Sequence, residues 1–292
     1  MTPEIIDIHP HIVSTDTVRY PIAPQSGHRS DWSATRAVTF EQLVMEMDES
    51  GVARAAIVHS STTYGYDNSY VADCVALQPG RFCGVYSIDM LAPDALQAFD
   101  RWRTRGMGGI RLFTGGKTHQ TDGSWLVDPR TFPVWERCAD LGMTIVVQTT
   151  LPGLPMITQL ARRFPTVRIA IDHCARPELD GGPPYAASAA LFELAAHRNV
   201  YLKITPRVFD FAQAAPGGAE AFFPFLVKAF GADHLAFGSN YPASKGPLKK
   251  LVGQGHACLA ALTDEQRGWI WGRTAGVLYP TLAAGADAAH RT

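Results

Sequence analysis

The apolar run IIDIHPHI (5–12) carries two histidines one residue apart near its end, His9 and His11. On a strand, positions i and i+2 face the same side, so the two imidazoles converge. They are a metal-ligand pair, an acid–base pair, or no more than a polar strand end. Further stretches also place polar residues just past apolar runs. RLFTGGK carries Arg111 and Lys117, IDHCARP carries Asp172, His173 and Arg176, KITPR carries Lys203 and Arg207, and GSNYP carries Asn240 and Tyr241. His59 ends another run, with Tyr64 and Tyr66 in the loop after it, and Gln148 ends a further one. Three neutral imidazoles and a water make an adequate zinc set. Guanidinium groups are the preferred partners where a planar carboxylate must be held bidentately.

The elements that carry these residues alternate from end to end. Strand candidates fall at 4–9, 53–59, 82–88, 108–113, 143–149, 167–173, 199–205 and 234–239, several of them near-continuous apolar runs suited to parallel strands buried on both faces. Amphipathic stretches lie between them, at about 68–78, 92–104, 129–141, 154–164, 186–197, 218–230 and 246–259. Thr39 caps the first helix with Gln42 as capping-box partner, and Thr263 caps a last helix that runs to Pro280. Eight strands, each followed by a helix, predict a single α/β domain over 1–292, a (β/α)8 TIM barrel with a C-terminal closing helix. A doubly wound sheet is the competing architecture, but its Gly-rich first turn is replaced here by HPH. In a barrel the strand ends open into the site, so the polar residues above converge. Loop 12–38, rich in Pro, Ser and Arg, is a candidate lid, and the tail 282–292 is expected to fray.

A plainer reading stands beside each candidate. A lone strand-end histidine is more often a hydrogen-bonded structural group, and His28, His119, His197, His234, His256 and His290 are read that way. Lys203 alternates with apolar neighbours, which suits a place outside the barrel pore, paired with a carboxylate. Tyr64 and Tyr66 suit loop packing.

Composition narrows the function classes. Hydrophobic residues make up 46% of the 292, enough for a large core, and the net charge of −1 has no basic or acidic block. Nucleic acid and anionic membrane surfaces are therefore not expected partners. No apolar run reaches membrane-spanning length and no signal pattern opens the chain. Five scattered cysteines with no C-x-x-C suit reduced core positions in a cytoplasmic protein.

DIHPH after the first strand, IDHCARP after the sixth and GSNYP after the eighth resemble the amidohydrolase superfamily in its amidohydrolase-2 branch, and within it the pyrone-dicarboxylate hydrolases and related lactonases. The likeness runs from residue 4 to about 280. It implies catalytic roles for His9, His11, His173 and the strand-8 residue Asn240. It implies substrate-binding roles for Arg111, Lys117, Arg176 and Arg207, with Gln148, His59, Tyr64 and Tyr241 completing the candidate set. The implied substrate is a small anionic, carboxylated cyclic ester from aromatic or sugar-acid breakdown. No obligatory cofactor is implied; a single divalent zinc, if bound, would take His9, His11 and His173. Homo-oligomerisation is left open. Gln148 stands where the superfamily usually has a strand-5 histidine, and Thr274 where the last helix often has Asn. Asn240 stands where the family aspartate takes a proton from water, which an amide cannot do. Two alternatives therefore stay open: a non-oxidative decarboxylase of the same superfamily, and a disabled homologue that only binds its ligand.

Overall fold

Eight parallel strands follow one another in sequence order: β1 (Ile5–Asp7), β2 (Val52–Val58), β3 (Phe82–Tyr86), β4 (Met107–Phe113), β5 (Thr144–Gln148), β6 (Arg168–Ile171), β7 (Val200–Ile204) and β8 (Leu235–Phe237). They come from a computed structural model that describes residues 3–114 and 123–283. Lys117, His119, His290 and residues 284–292 of the expected tail lie outside the described residues. Each strand pairs with the next, and Ile8 N donates to Phe237 O at 3.1 Å, bringing β8 back to β1 in a nearly closed (β/α)8 barrel.

The strands end earlier than the hydrophobic pattern predicts. β1 stops before His9, β6 before His173 and β8 before Asn240. At the β1–β8 seam a side chain replaces the ladder: Asp7 Oδ1 accepts from His9 N at 2.9 Å and Ser239 N at 2.8 Å. Gly238 makes that seam possible, because a Cβ there would lie 2.6 Å from the His9 Cβ.

Inside the barrel, Ile6, Ile8, Val58, Val85, Val146, Ala170 and Ala236 form one apolar cluster. Leu278, Tyr279 and Leu282 of the last helix and turn join it and close the N-terminal end, with Thr144 Oγ1 donating to Leu278 O at 2.6 Å. A larger cluster fills the layer between sheet and helices. Polar side chains are left for the opposite end, where the strands terminate.

Both expected capping boxes are present, at Thr39–Gln42 and Thr263–Gln266. The last helix is not continuous; a π turn over Trp269–Arg273 joins two α-helical pieces. The stretch expected as a helix over 186–197 is instead a five-residue helix, Ala189–Glu193, between two 3₁₀ turns. A further helix outside the expected stretches, Pro206–Ala214, begins two residues after β7 with proline in its first turn. It carries Arg207 at its second position.

All five cysteines are buried and unpaired by disulfide. Among the described residues, no helix is long and apolar enough to cross a membrane.

Candidate active site

A buried ionic network sits where β1, β4, β6 and β7 end. Asp172, directly after β6, accepts from Arg111 Nε at 2.8 Å through Oδ2. Its Oδ1 lies 3.3 Å from Lys203 Nζ and 3.2 Å from His9 Nδ1. Lys203 is fully buried inside the barrel, on the same face of β7 as Tyr201. The expected place outside the pore is thus overturned, while the carboxylate partner is present. Period-two alternation makes the choice, since Leu202 and Ile204 take the helix-facing layer. Burial opposes a charge on Asp172, but His9, Lys203 and Arg111 together hold its carboxyl well below the usual range. Burial lowers Lys203 to about 8, against the pull of Asp172.

His9 and His11 converge, although neither lies on the strand. Their rings meet edge to face at 5.0 Å, and His9 also packs 5.0 Å from the His173 ring. His11 Nδ1 is 2.8 Å from Val58 O, and His173 Nδ1 is 2.9 Å from Thr205 Oγ1. The chain reaches this arrangement after β6 through four consecutive left-handed residues, His173, Cys174, Ala175 and Arg176, with φ between 49° and 58°. Such a conformation costs an L-residue on the order of 1–2 kcal/mol. Here it turns His173 and Arg176 toward the same opening, held by Arg176 N donating to His173 O at 2.9 Å.

A cavity of about 820 Å³ opens over these residues. His11, Arg111, Gln148, His173, Arg176, Arg207 and Asn240 line it. His9 is buried behind the lining residues, in contact with His11 and His173. Three candidates stand apart from the wall. His59 is buried with Nε2 2.9 Å from Gly65 O, and Tyr64 OH accepts from Ser14 N at 2.7 Å, which ties down the start of loop 12–38. Tyr241 is buried with its carbonyl accepting from His11 N at 2.7 Å.

The strand-end motifs do not reveal several residues of the wall, among them three large side chains. Arg29, Trp32 and Arg36 all come from loop 12–38, and Trp32 stacks on His11 at 5.1 Å. The Arg-rich composition of the loop was the available signal, but only the fold shows that its short helix, Asp31–Thr35, turns inward.

Arg176 and Arg207 add positive charge to a wall that Arg29, Arg36 and Lys245 also line. Neither Arg176 nor Arg207 has an acidic partner among the described residues, and Arg176 Nε is buried with no hydrogen bond. Burial and then Arg207 push the Arg176 guanidinium below its ordinary value. Asn240 adopts φ 50°, and its Nδ2 donates to Ser244 Oγ at 3.0 Å.

Four buried imidazoles should make the fold acid-sensitive. Burial holds His11 and His173 at about 3 and His59 at about 4, and lowers His9 well below 6.5. In the unfolded chain all four titrate near ~6.5. Between those limits the unfolded state binds more protons, so stability is full above the unfolded value and falls as pH drops through the window. Each group contributes up to about 1.4 kcal/mol per pH unit there. Melting curves from pH 7 to 4.5 should show a steep fall in Tm; a flat profile would show that these imidazoles are not buried in neutral form.

The donor types also suit a divalent cation. His9, Asp172 and His173 each offer a ligand atom within 4.8 Å of the others, and His11 packs beside them. The Nδ1 atoms of His11 and His173 are already held, by Val58 O and Thr205 Oγ1, as metal-binding histidines usually require, whereas His9 Nδ1 faces the Lys203 ammonium.

Residues 6–281 match the amidohydrolase family. The chain belongs to that family, in its amidohydrolase-2 branch, and is an enzyme of that type. It is 29% identical over 201 residues to L-fucono-1,5-lactonase of Burkholderia ambifaria, covering 67% of each chain. An Acinetobacter baumannii structure, described as a probable 2-pyrone-4,6-dicarboxylic acid hydrolase with citric acid bound, matches with a TM-score of 0.77 at 15% identity, over 96% of this chain and 100% of that one. A Burkholderia multivorans amidohydrolase with bound zinc matches with a TM-score of 0.74 at 20% identity, over 95% and 99%. At these identities the structural matches establish the barrel alone.

Proposed function

We propose that this amidohydrolase hydrolyses a small carboxylated cyclic ester. The observation that carries the reading is the pair Arg176 and Arg207, two cations without an acidic partner among the described residues, beside neutral imidazoles in one cavity. A carboxylate on the substrate supplies the missing partner. The L-fucono-1,5-lactonase and the pyrone-dicarboxylate hydrolase likeness support ring opening of a lactone.

In the reaction, water adds across the acyl C–O bond: its hydroxyl goes to the carbonyl carbon and its proton ends on the ring oxygen. Arg176 and Arg207 hold the carboxylate. Arg111, anchored through Nε on Asp172, presents the rest of its guanidinium to the cavity and stabilises the oxyanion. His9, His11 and His173 serve as polar and proton-transfer groups, and loop 12–38 acts as a lid that brings Trp32 over His11. A divalent cation on His9, Asp172 and His173, with His11 beside them, would polarise the carbonyl and acidify the water. We read it as dispensable, because Lys203 and Arg111 already neutralise Asp172.

A panel of lactones tests this in a pH-stat. It would include pyrone dicarboxylates, muconolactones, sugar-acid lactones and neutral lactones, with carboxylated phenols as decarboxylation substrates. Ring opening of a carboxylated lactone, with acid release that survives chelation, is expected. Carbon dioxide release from a phenolic acid would replace the reading with a decarboxylase, and binding without turnover would replace it with a ligand-binding homologue.

A further inference from the structure

The buried lysine beside His9 takes no part in proton transfer in that mechanism, and it makes two hydrogen bonds and one ion pair. An ammonium group has three N–H donors and no lone pair. Lys203 Nζ donates to Ile8 O at 3.1 Å, is hydrogen-bonded with His9 Nδ1 at 3.3 Å, and pairs electrostatically with Asp172 Oδ1 at 3.3 Å. Contact between Nζ and the imidazole nitrogen is a hydrogen bond only if Lys203 donates. An Nδ1 that accepts carries no proton, so a neutral His9 must carry it on Nε2. The competing tautomer would aim an Nδ1–H at the ammonium. Asp172 cannot rescue that arrangement: its Oδ1 is 3.2 Å from Nδ1 but accepts no hydrogen bond of usable geometry among the described residues. His9 Nε2 is itself buried with no partner there.

His11 is fixed the other way. Its Nδ1 faces Val58 O, which only accepts, so Nδ1 holds the proton and Nε2 holds the lone pair. The two histidines of the H-x-H pair therefore differ in polarity, although their rings are 5.0 Å apart.

We propose that Lys203 is a positioning residue that sets the tautomer of His9, making it a hydrogen-bond donor at Nε2 rather than a metal ligand. A protonated Nε2 has no lone pair for a cation, and Nδ1 is covered by the ammonium. Lys203 thereby holds the His9, Asp172 and His173 group closed to divalent metal while its own charge balances Asp172. His9 Nε2–H is then a donor for a carbonyl oxygen, and His11 Nε2 an acceptor for a water proton. This deepens the hydrolase reading but is measured without any substrate, so failure of one leaves the other standing.

The unmodified protein with ¹⁵N-labelled histidine gives the first test, with the His9 signals assigned by their loss in His9→Gln. The Nε2–H tautomer is expected at His9 and the Nδ1–H tautomer at His11. An Nδ1–H tautomer at His9 overturns the proposal. Zinc titration by calorimetry gives the second, on the unmodified protein, Lys203→Met and the charge-keeping Lys203→Arg. Removing the amine should tighten zinc binding about 10–100-fold, the range that neighbours of metal ligands command, while the Arg variant stays weak. One tightly held zinc in the unmodified protein, unaffected by Lys203→Met, would also overturn it. Should Lys203→Met fail to fold, Lys203→Gln keeps a neutral donor toward Ile8 O and serves in the same titration, and the tautomer measurement decides the question without any Lys203 variant.

Discussion

Asn240→Asp should accelerate lactone hydrolysis by about 10²–10⁴, the usual worth of a general base. Asn240 lines the same cavity as His11 and His173. Both imidazoles are held at about 3 by burial, so they are weak bases at neutral pH. An amide at position 240 cannot take the proton of the attacking water, whereas a carboxylate can. The backbone should accept the change, because Asp tolerates a left-handed φ such as the 50° here nearly as well as Asn. Ser244 Oγ, which now accepts from the amide at 3.0 Å, can rotate to donate to a carboxylate. Arg207 on the same cavity wall favours the ionised form. Rates would be compared at saturating substrate, with melting temperatures to confirm equal folding. Equal rates would assign the base to a histidine or to the substrate, and would make Asn240 a working feature of this enzyme rather than a disabling one.

Arg176→Met should lower kcat/KM on a carboxylated lactone by about 2–5 kcal/mol, or about 30- to 4,000-fold. Arg176 is half-buried, and its Nε lacks any hydrogen bond among the described residues, so its charge is placed without compensation until an anion arrives. Arg207 is exposed on the first turn of the helix Pro206–Ala214, where water screens it. Arg207→Met should therefore cost less, about tenfold. A neutral lactone of the same ring size is the control, and neither substitution should slow it. Loss on the neutral substrate as well would mean that the arginines shape the cavity rather than recognise a carboxylate. No loss on any anionic lactone would end the case for an anionic substrate.

Alternation along the chain was enough to specify the barrel and the strand ends that carry its polar residues. Eight apolar runs with intervening amphipathic stretches leave few ways to bury both faces of a parallel sheet, and the capping boxes at Thr39 and Thr263 are local enough to be read directly. The strand-end motifs gave His11, Arg111, Gln148, His173, Arg176, Arg207 and Asn240, which share one cavity. His59, Tyr64 and Tyr241 are also near strand ends, but strand-end position alone does not say whether a side chain meets the cavity or a neighbouring backbone group. Only the tertiary structure made that choice, by packing His59 against Gly65 O and Tyr64 against Ser14 N. It also decided the four-residue left-handed turn at His173, which no propensity favours and which long-range contacts to Thr205 and Lys203 sustain. Most of all it placed Lys203. Alternation along VYLKI leaves either face open to it, and the side that holds Asp172 and His9 exists only once the sheet curls round to bring the ends of β1, β6 and β7 to one interior.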